Sequence, residues 1–102
     1  MKVITVLTTF GEIIGKTNES TVDLFVSFAN NHTLDLEKPV LIVPIMTERG
    51  PGVSFRPVMI SSQHMSELCL PRHFVAYLEH EPPKQLVDEY LQMTSGIILS
   101  GM

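Results

Sequence analysis

The hydrophobic pattern of the chain changes period several times, and each change marks an element. From Lys2 to Phe10, Ile4, Val6 and Thr8 alternate with Val3, Thr5, Leu7 and Thr9, most of them β-branched. A period of two predicts a strand, and Thr9-Phe10-Gly11 predicts the turn that ends it. The segment "EIIGKT" continues extended as far as the polar group Thr17 to Ser20, with Gly15 expected at a bulge or sharp bend. In "TVDLFVSF", Val22, Leu24, Val26 and Phe28 alternate with Asp23, Phe25 and Ser27, which favours another strand, although Ser20 could cap a helix there. Asn30-Asn31-His32 predicts a turn, since asparagine tolerates left-handed backbone. Leu34 and Leu36 then precede an apolar run from Val40 to Met46, whose Pro39 and Pro44 belong at an edge or a bulge.

"TERGPG" closes that run and "VSFRPVMIS" begins the next strand, so the two predict a hairpin around Arg49 to Gly52. A polar connection from Ser61 to Glu67 leads to "HFVAYL", a strand with Phe74, Ala76 and Leu78 on one side. After Pro82-Pro83 the spacing becomes Leu86, Val87, Tyr90, Leu91, which predicts a one-faced helix of about three turns, opened by proline and closed at Ser95-Gly96. "IILSG" then remains for a last short strand. Short strands followed by one late helix predict a mostly β chain: one domain across residues 1–102, folded as a small, strongly bent SH3-like β-barrel with a C-terminal helical extension at about 83–95. The helix is expected to cover an open end or a neighbouring subunit.

Charge narrows the function. The formal net charge is −4 over 102 residues, so no broad basic face announces nucleic acid and any anion-binding surface has to be local. The single cysteine, Cys69, cannot form an internal disulfide, and "MKVITVLTTFGE" lacks the apolar core of a signal peptide, which predicts a cytoplasmic setting. No apolar run approaches the eighteen or so residues of a membrane span.

Candidate chemistry is sparse. "GEIIGKT" resembles a phosphate-binding loop, G-x-x-x-x-G-K-[ST], but has three spacers, Glu12, Ile13 and Ile14, where the loop needs four. Its β-branched spacers favour extended backbone, and no helix is expected after Lys16 to receive a phosphate. His64, Cys69 and His73 fall one ligand short of a closed zinc site, and Cys69 is expected to be a small buried apolar group. No G-x-S-x-G is present, and Asp88 and Glu89 diverge by about 100° on a helix, so neither a hydrolytic triad nor a carboxylate pair is expected. These readings predict a non-enzyme with no metal or other cofactor.

One family resemblance remains. "VLTTFGEIIG", "NNHTLDLE" and "ERGPGVSF" are similar to the two motifs of the Sm-like (LSm) proteins, small bent β-barrels that form rings and bind RNA. In the first motif an apolar strand passes through a Gly turn and a second Gly to an Asp or Asn turn and Leu-x-Leu-Glu; here one residue fewer separates the glycines. "STVDLFVSF" is an alternative partner strand, with Asp23 at the Asn position. Arg49, Gly50 and Val53 match the second motif, with Pro51 where the family has Asn or Asp. The resemblance covers residues 3 to about 60. It implies a homo-oligomeric ring whose pore holds single-stranded nucleic acid, RNA by preference or DNA; the bacterial or bacteriophage-infected cell expected as its setting rests on small size and the lack of targeting signals alone. The implied binding residues are Asn30, Asn31, His32, Arg49 and Gly50: amides for base edges, a stacking imidazole and a cation for phosphate. Against it stands a second reading, an oligomeric β-barrel assembly module with no nucleic-acid site, for which Asn30 to His32 is a plain turn and Arg49 a solvated charge. A small-molecule pocket at the barrel mouth is a third.

Overall fold

The computed structural model describes residues 1–27, 33–58 and 66–100, with side chains described as far as Thr94. The chain begins with β1 (Lys2–Thr8) and β2 (Gly11–Thr17), joined as an antiparallel hairpin in which Thr8 faces Gly11. A short helix α1 (Glu19–Val26) follows, then the long strand β3 (Leu34–Thr47), its hairpin partner β4 (Gly50–Pro57), and β5 (Glu67–Leu70). A single 3-10 turn, Arg72–Phe74, leads into β6 (Val75–Glu79), and helix α2 (Lys84–Ser100) ends the chain. All pairings are antiparallel and belong to one sheet of order β4-β3-β2-β1-β6, with β5 beside the first part of β3.

The connection between β5 and β6 forces this sheet to curl. Laid flat, β5 and β6 would stand roughly 19 Å apart, four strand spacings of about 4.8 Å. The short link from Leu70 to Val75 contains the 3-10 turn, which advances only about 2 Å per residue, and reaches roughly 13 Å. One face therefore wraps around a single cluster: Ile4 and Val6 of β1, Ile13 of β2, Leu34 and Leu36 of β3, Leu70 of β5, with Val75 and Leu78 of β6 against it. The hydrogen-bond path nevertheless stays open, because no pairing among the described residues joins β6 to β4 or β5. Of the expected small bent barrel, the structure shows a mostly β chain with one curled six-stranded antiparallel sheet and a C-terminal helix, without closure among the described residues.

Helix α1 plugs the concave face with Val22 and Phe25. This corrects the strand expected over residues 20–28: the buried positions are three apart, a helical spacing, and Leu24 and Val26 are exposed. Asn18 is the helix N-cap, and at the other end the Arg72 guanidinium donates to the Phe25 carbonyl and lies 5.0 Å from the centre of the Phe25 ring. The arginine thus satisfies one of the carbonyls that a helix C-terminus leaves open.

The convex face carries a second cluster, Ile14, Ile42 and Tyr90, with Val3, Val40, Phe55 and Leu86 packed on it. Helix α2 covers this face through Leu86 and Tyr90, one turn apart, rather than an open end. It starts after Pro82-Pro83 as expected but runs through Gly96 to Ser100, so the break expected at Ser95-Gly96 and the final strand are both absent. Helical backbone tolerates one glycine at a cost of about 1 kcal/mol.

The bend in β3 is made at Lys38, whose φ of +50° is the one positive value outside glycine among the described residues. The β2–β3 register shifts between Ile14 and Lys16, with Gly15 at the shift, as the sequence suggested. A methyl group on Gly15 would sit 3.1 Å from Leu36 Cβ and 3.4 Å from the Glu37 carbonyl oxygen. Lys38 is held from both sides. Its N–H donates to the Ser66 carbonyl at 2.9 Å, and its carbonyl accepts from the Tyr90 hydroxyl at 2.6 Å.

Candidate nucleic-acid interface

Two hairpins of this fold close with the same turn. In "TTFG" and "TERG" the first threonine hydroxyl donates to the glycine carbonyl, Thr8 to Gly11 at 2.8 Å and Thr47 to Gly50 at 2.7 Å. The same hydroxyls accept from the N–H two residues on, Phe10 at 3.0 Å and Arg49 at 3.2 Å. Both glycines have positive φ, +130° and +109°, the backbone that a β-branched or bulky residue avoids. Local chemistry therefore fixes the tip of the β3–β4 hairpin and aims Arg49 outward from it.

That hairpin projects. Pairing of β2 to β3 stops at Glu12 opposite Ile42, so from Val43 to Thr47 the only described neighbour of β3 is β4. The result is a two-stranded ribbon with Arg49 and Gly50 at its tip and exposed apolar residues Pro44, Ile45, Met46, Pro51 and Val53 along it. Met46 is 79% exposed. Arg49 and, further back on β4, Arg56 are exposed and have no carboxylate within salt-bridge distance among the described residues.

Of the residues implied by the Sm-like resemblance, the structure places Arg49 and Gly50 here. Asn30, Asn31 and His32 lie outside the described residues. Thr33, the first described residue after them, directly precedes β3, and the whole of that strand separates it from the Arg49 turn. The structure therefore supplies no contact, within one chain, between that end of β3 and Arg49.

Three features were missed by sequence reasoning. Phe10, 67% exposed at the β1–β2 turn, meets Phe74 edge-on at 5.5 Å, and the exposed His73 ring lies 4.4 Å from Phe74. The Thr9 N–H donates to the Phe74 carbonyl and holds the group together. An isolated Phe in a Thr-Phe-Gly turn was the only hint. The second is β5, whose Leu68 and Leu70 alternate with Cys69 in a segment too short to stand out. The third is Cys69 itself, which is exposed rather than buried. It faces Asp35 across β3–β5, and its hydrogen bond to that carboxylate, together with the carboxylate charge, pushes the thiol above its ordinary range. Of the other two zinc candidates, His73 belongs to the Phe10–Phe74 group and His64 lies outside the described residues.

The segment "GEIIGKT" is β2 itself, with Ile13, Ile14 and Thr17 buried. A helix does start soon after it, at Glu19, contrary to expectation, yet the extended backbone of β2 forms no loop around a phosphate. No helix among the described residues is long and apolar enough to cross a membrane. Comparisons with protein families, with curated proteins and with solved structures gave no match.

Proposed function

We propose that the protein is an oligomeric β module that binds single-stranded nucleic acid, with the Arg49 ribbon of each copy as the contact, and that the copies form a ring as the Sm-like resemblance implies. The observation that carries this reading is the Arg49 guanidinium at the tip of a projecting ribbon, without a carboxylate within salt-bridge distance among the described residues, with a second such guanidinium, Arg56, further back on β4. In a chain of net charge −4, a polyanion is held where cations lack carboxylate partners. Repetition around a ring multiplies one weak contact, since linked sites bind far more tightly than each alone. The ring would also complete the curled barrel that one chain leaves open. Fluorescence anisotropy with labelled oligo-U, oligo-A and oligo-dT tests the reading, with binding that weakens steeply as salt rises. Absence of binding at low salt would refute it.

The acidic side of the sheet favours a second reading, an assembly module without a nucleic-acid site. Glu37 and Glu67 face each other across β3–β5 beside Asp35, and Glu48 adjoins Arg49 in the ribbon turn. Under this reading the oligomer forms and no oligonucleotide binds.

A further inference from the structure

The two matching turns sit at one end of the sheet. There β1 and β3 finish, and β2, β4 and β6 begin. In each turn the threonine hydroxyl holds the N–H of the third residue, which is Phe10 in "TTFG" and Arg49 in "TERG". One backbone device therefore presents an aromatic ring from one hairpin and a guanidinium from the other. The turn itself does not ask for an apolar residue in that place, since Arg49 fills it in the β3–β4 hairpin. Phe10 is nevertheless 67% exposed, so the chain leaves most of a ring in water where a polar side chain would close the hairpin equally well.

The ring is held in place. Thr9 donates its N–H to the Phe74 carbonyl at 3.1 Å, Phe10 meets the Phe74 ring edge-on at 5.5 Å, and the His73 ring lies 4.4 Å from Phe74. Phe10 and His73 are both exposed, and Phe74 joins them. Rings fixed in this way lose little conformational freedom when something stacks on them. Their position also relates them to Arg49. Pairing of β2 with β3 stops at Glu12 opposite Ile42, so Phe10, just ahead of Glu12, stands level with the root of the ribbon. From Val43 to Thr47 the ribbon then extends about 17 Å, at roughly 3.4 Å a residue. Single-strand recognition needs a cation for phosphate and an aromatic face for bases, and the two turns supply one of each.

We propose that Phe10 and His73 form a platform on which an unpaired base stacks, a second nucleic-acid contact at the root of the ribbon whose tip carries Arg49. The proposal rests on the nucleic-acid reading above and is separable from it. Arg49 attracts phosphate on any strand, and the platform selects strands whose base faces are free. Because every base has a π-face, it takes RNA and DNA and tolerates sequence.

Anisotropy with oligo-dT and with an abasic oligomer of the same length and charge separates the two contacts. Wild type should bind oligo-dT about tenfold more tightly than the abasic oligomer, the weight of one stacked base. Phe10→Ala should remove that tenfold, on oligo-U and oligo-dT alike, while leaving the abasic affinity and the salt slope as they were. His73→Ala should reduce it, and Phe10→Tyr, which keeps a ring, should retain it. Arg49→Ala should weaken oligo-dT and the abasic oligomer together and flatten the slope. Equal wild-type affinity for the two strands, a Phe10→Ala that binds as the wild type does, or a loss confined to one kind of sugar would each overturn the platform. Should Phe10→Ala fail to fold, oligo-dT carrying 5-iododeoxyuridine must photo-crosslink to Phe10 or His73 of the wild type, and attachment only elsewhere would overturn it. A wild type that binds no oligonucleotide refutes both ideas, whereas binding that depends on Arg49 and is equal for oligo-dT and the abasic strand removes the platform alone.

Discussion

At the scale of single residues, Tyr90 carries more of the fold than its place on a surface helix suggests. It is fully buried, and its hydroxyl donates to the carbonyl of the one strained non-glycine residue, Lys38. Tyr90→Phe keeps the packing and leaves that carbonyl without its partner, for an expected loss of about 1–2 kcal/mol, seen as a lower urea midpoint with an unchanged slope. Tyr90→Ala also opens a cavity and should cost about 3–5 kcal/mol. The pH dependence has a definite sign. Burial raises the Tyr90 phenol well above its ordinary value, with Glu37 adding to the effect. A group whose folded pKa lies above its unfolded value contributes stability that is complete below the unfolded value, about 10 for tyrosine, and is lost as pH rises beyond it. Wild type should therefore lose stability between pH 9 and 11, roughly the span around that value, more steeply than Tyr90→Phe. If urea-derived stability falls equally with pH in wild type and Tyr90→Phe, Tyr90 is not the cause. None of this was legible in the sequence, where Tyr90 was one of four apolar positions on a helix face and nothing indicated which carbonyl it would meet.

Among elements, the strands were legible where alternation lasted, and the failures have physical causes. β1, β2 and the two halves of β3 announced themselves because one face is buried and β-branched residues recur with period two. Over "TVDLFV" the same residue types serve a short helix, and the choice is made by tertiary packing: Val22 and Phe25 fit the concave face, and Arg72, distant in sequence, ties off the C-terminus. Arg72→Ala should therefore destabilise α1 and the protein by about 1–2 kcal/mol through the lost charged hydrogen bond and ring contact, measurable by thermal denaturation. A variant as stable as wild type would show that the contact contributes nothing. Gly15 was legible as a bend, because glycine inside a strand pattern signals a close approach. Its substitution tests the bend directly. With Leu36 Cβ 3.1 Å from the added methyl and the Glu37 carbonyl at 3.4 Å, Gly15→Ala has to push β3 away and should cost about 1–3 kcal/mol. Gly50→Ala meets no neighbour within 4 Å, so its cost of about 1–2 kcal/mol comes from the positive φ alone.

For the whole molecule the question is how an acidic chain would hold an anion, and the ribbon tip sets the terms. Arg49 stands in the turn directly after Glu48, so the ribbon tip presents nearly no net charge, and under the proposed reading binding would depend on several tips meeting around one strand of nucleic acid. Each phosphate contact on a single strand contributes roughly 0.7 to the slope of log affinity against log salt. Arg49→Ala should weaken binding of oligo-U and flatten that slope by about 0.7 for every copy in contact, while folding stays within ~0.5 kcal/mol of wild type. Glu48→Gln should do the reverse in affinity, because it removes the adjacent negative charge and leaves Arg49 in place. Arg56 tests how far the proposed contact extends beyond the tip. It faces Leu41 on the opposite side of the sheet from Val53 and Phe55, so Arg56→Ala should alter the slope only if nucleic acid follows the concave side of the ribbon as well as its tip. Anisotropy at several salt concentrations, on oligomers of confirmed size, reads all three variants. If Arg49→Ala and Glu48→Gln both bind as the wild type does, the tip is not the contact, and the protein is better read as an assembly module whose ribbon serves its own copies.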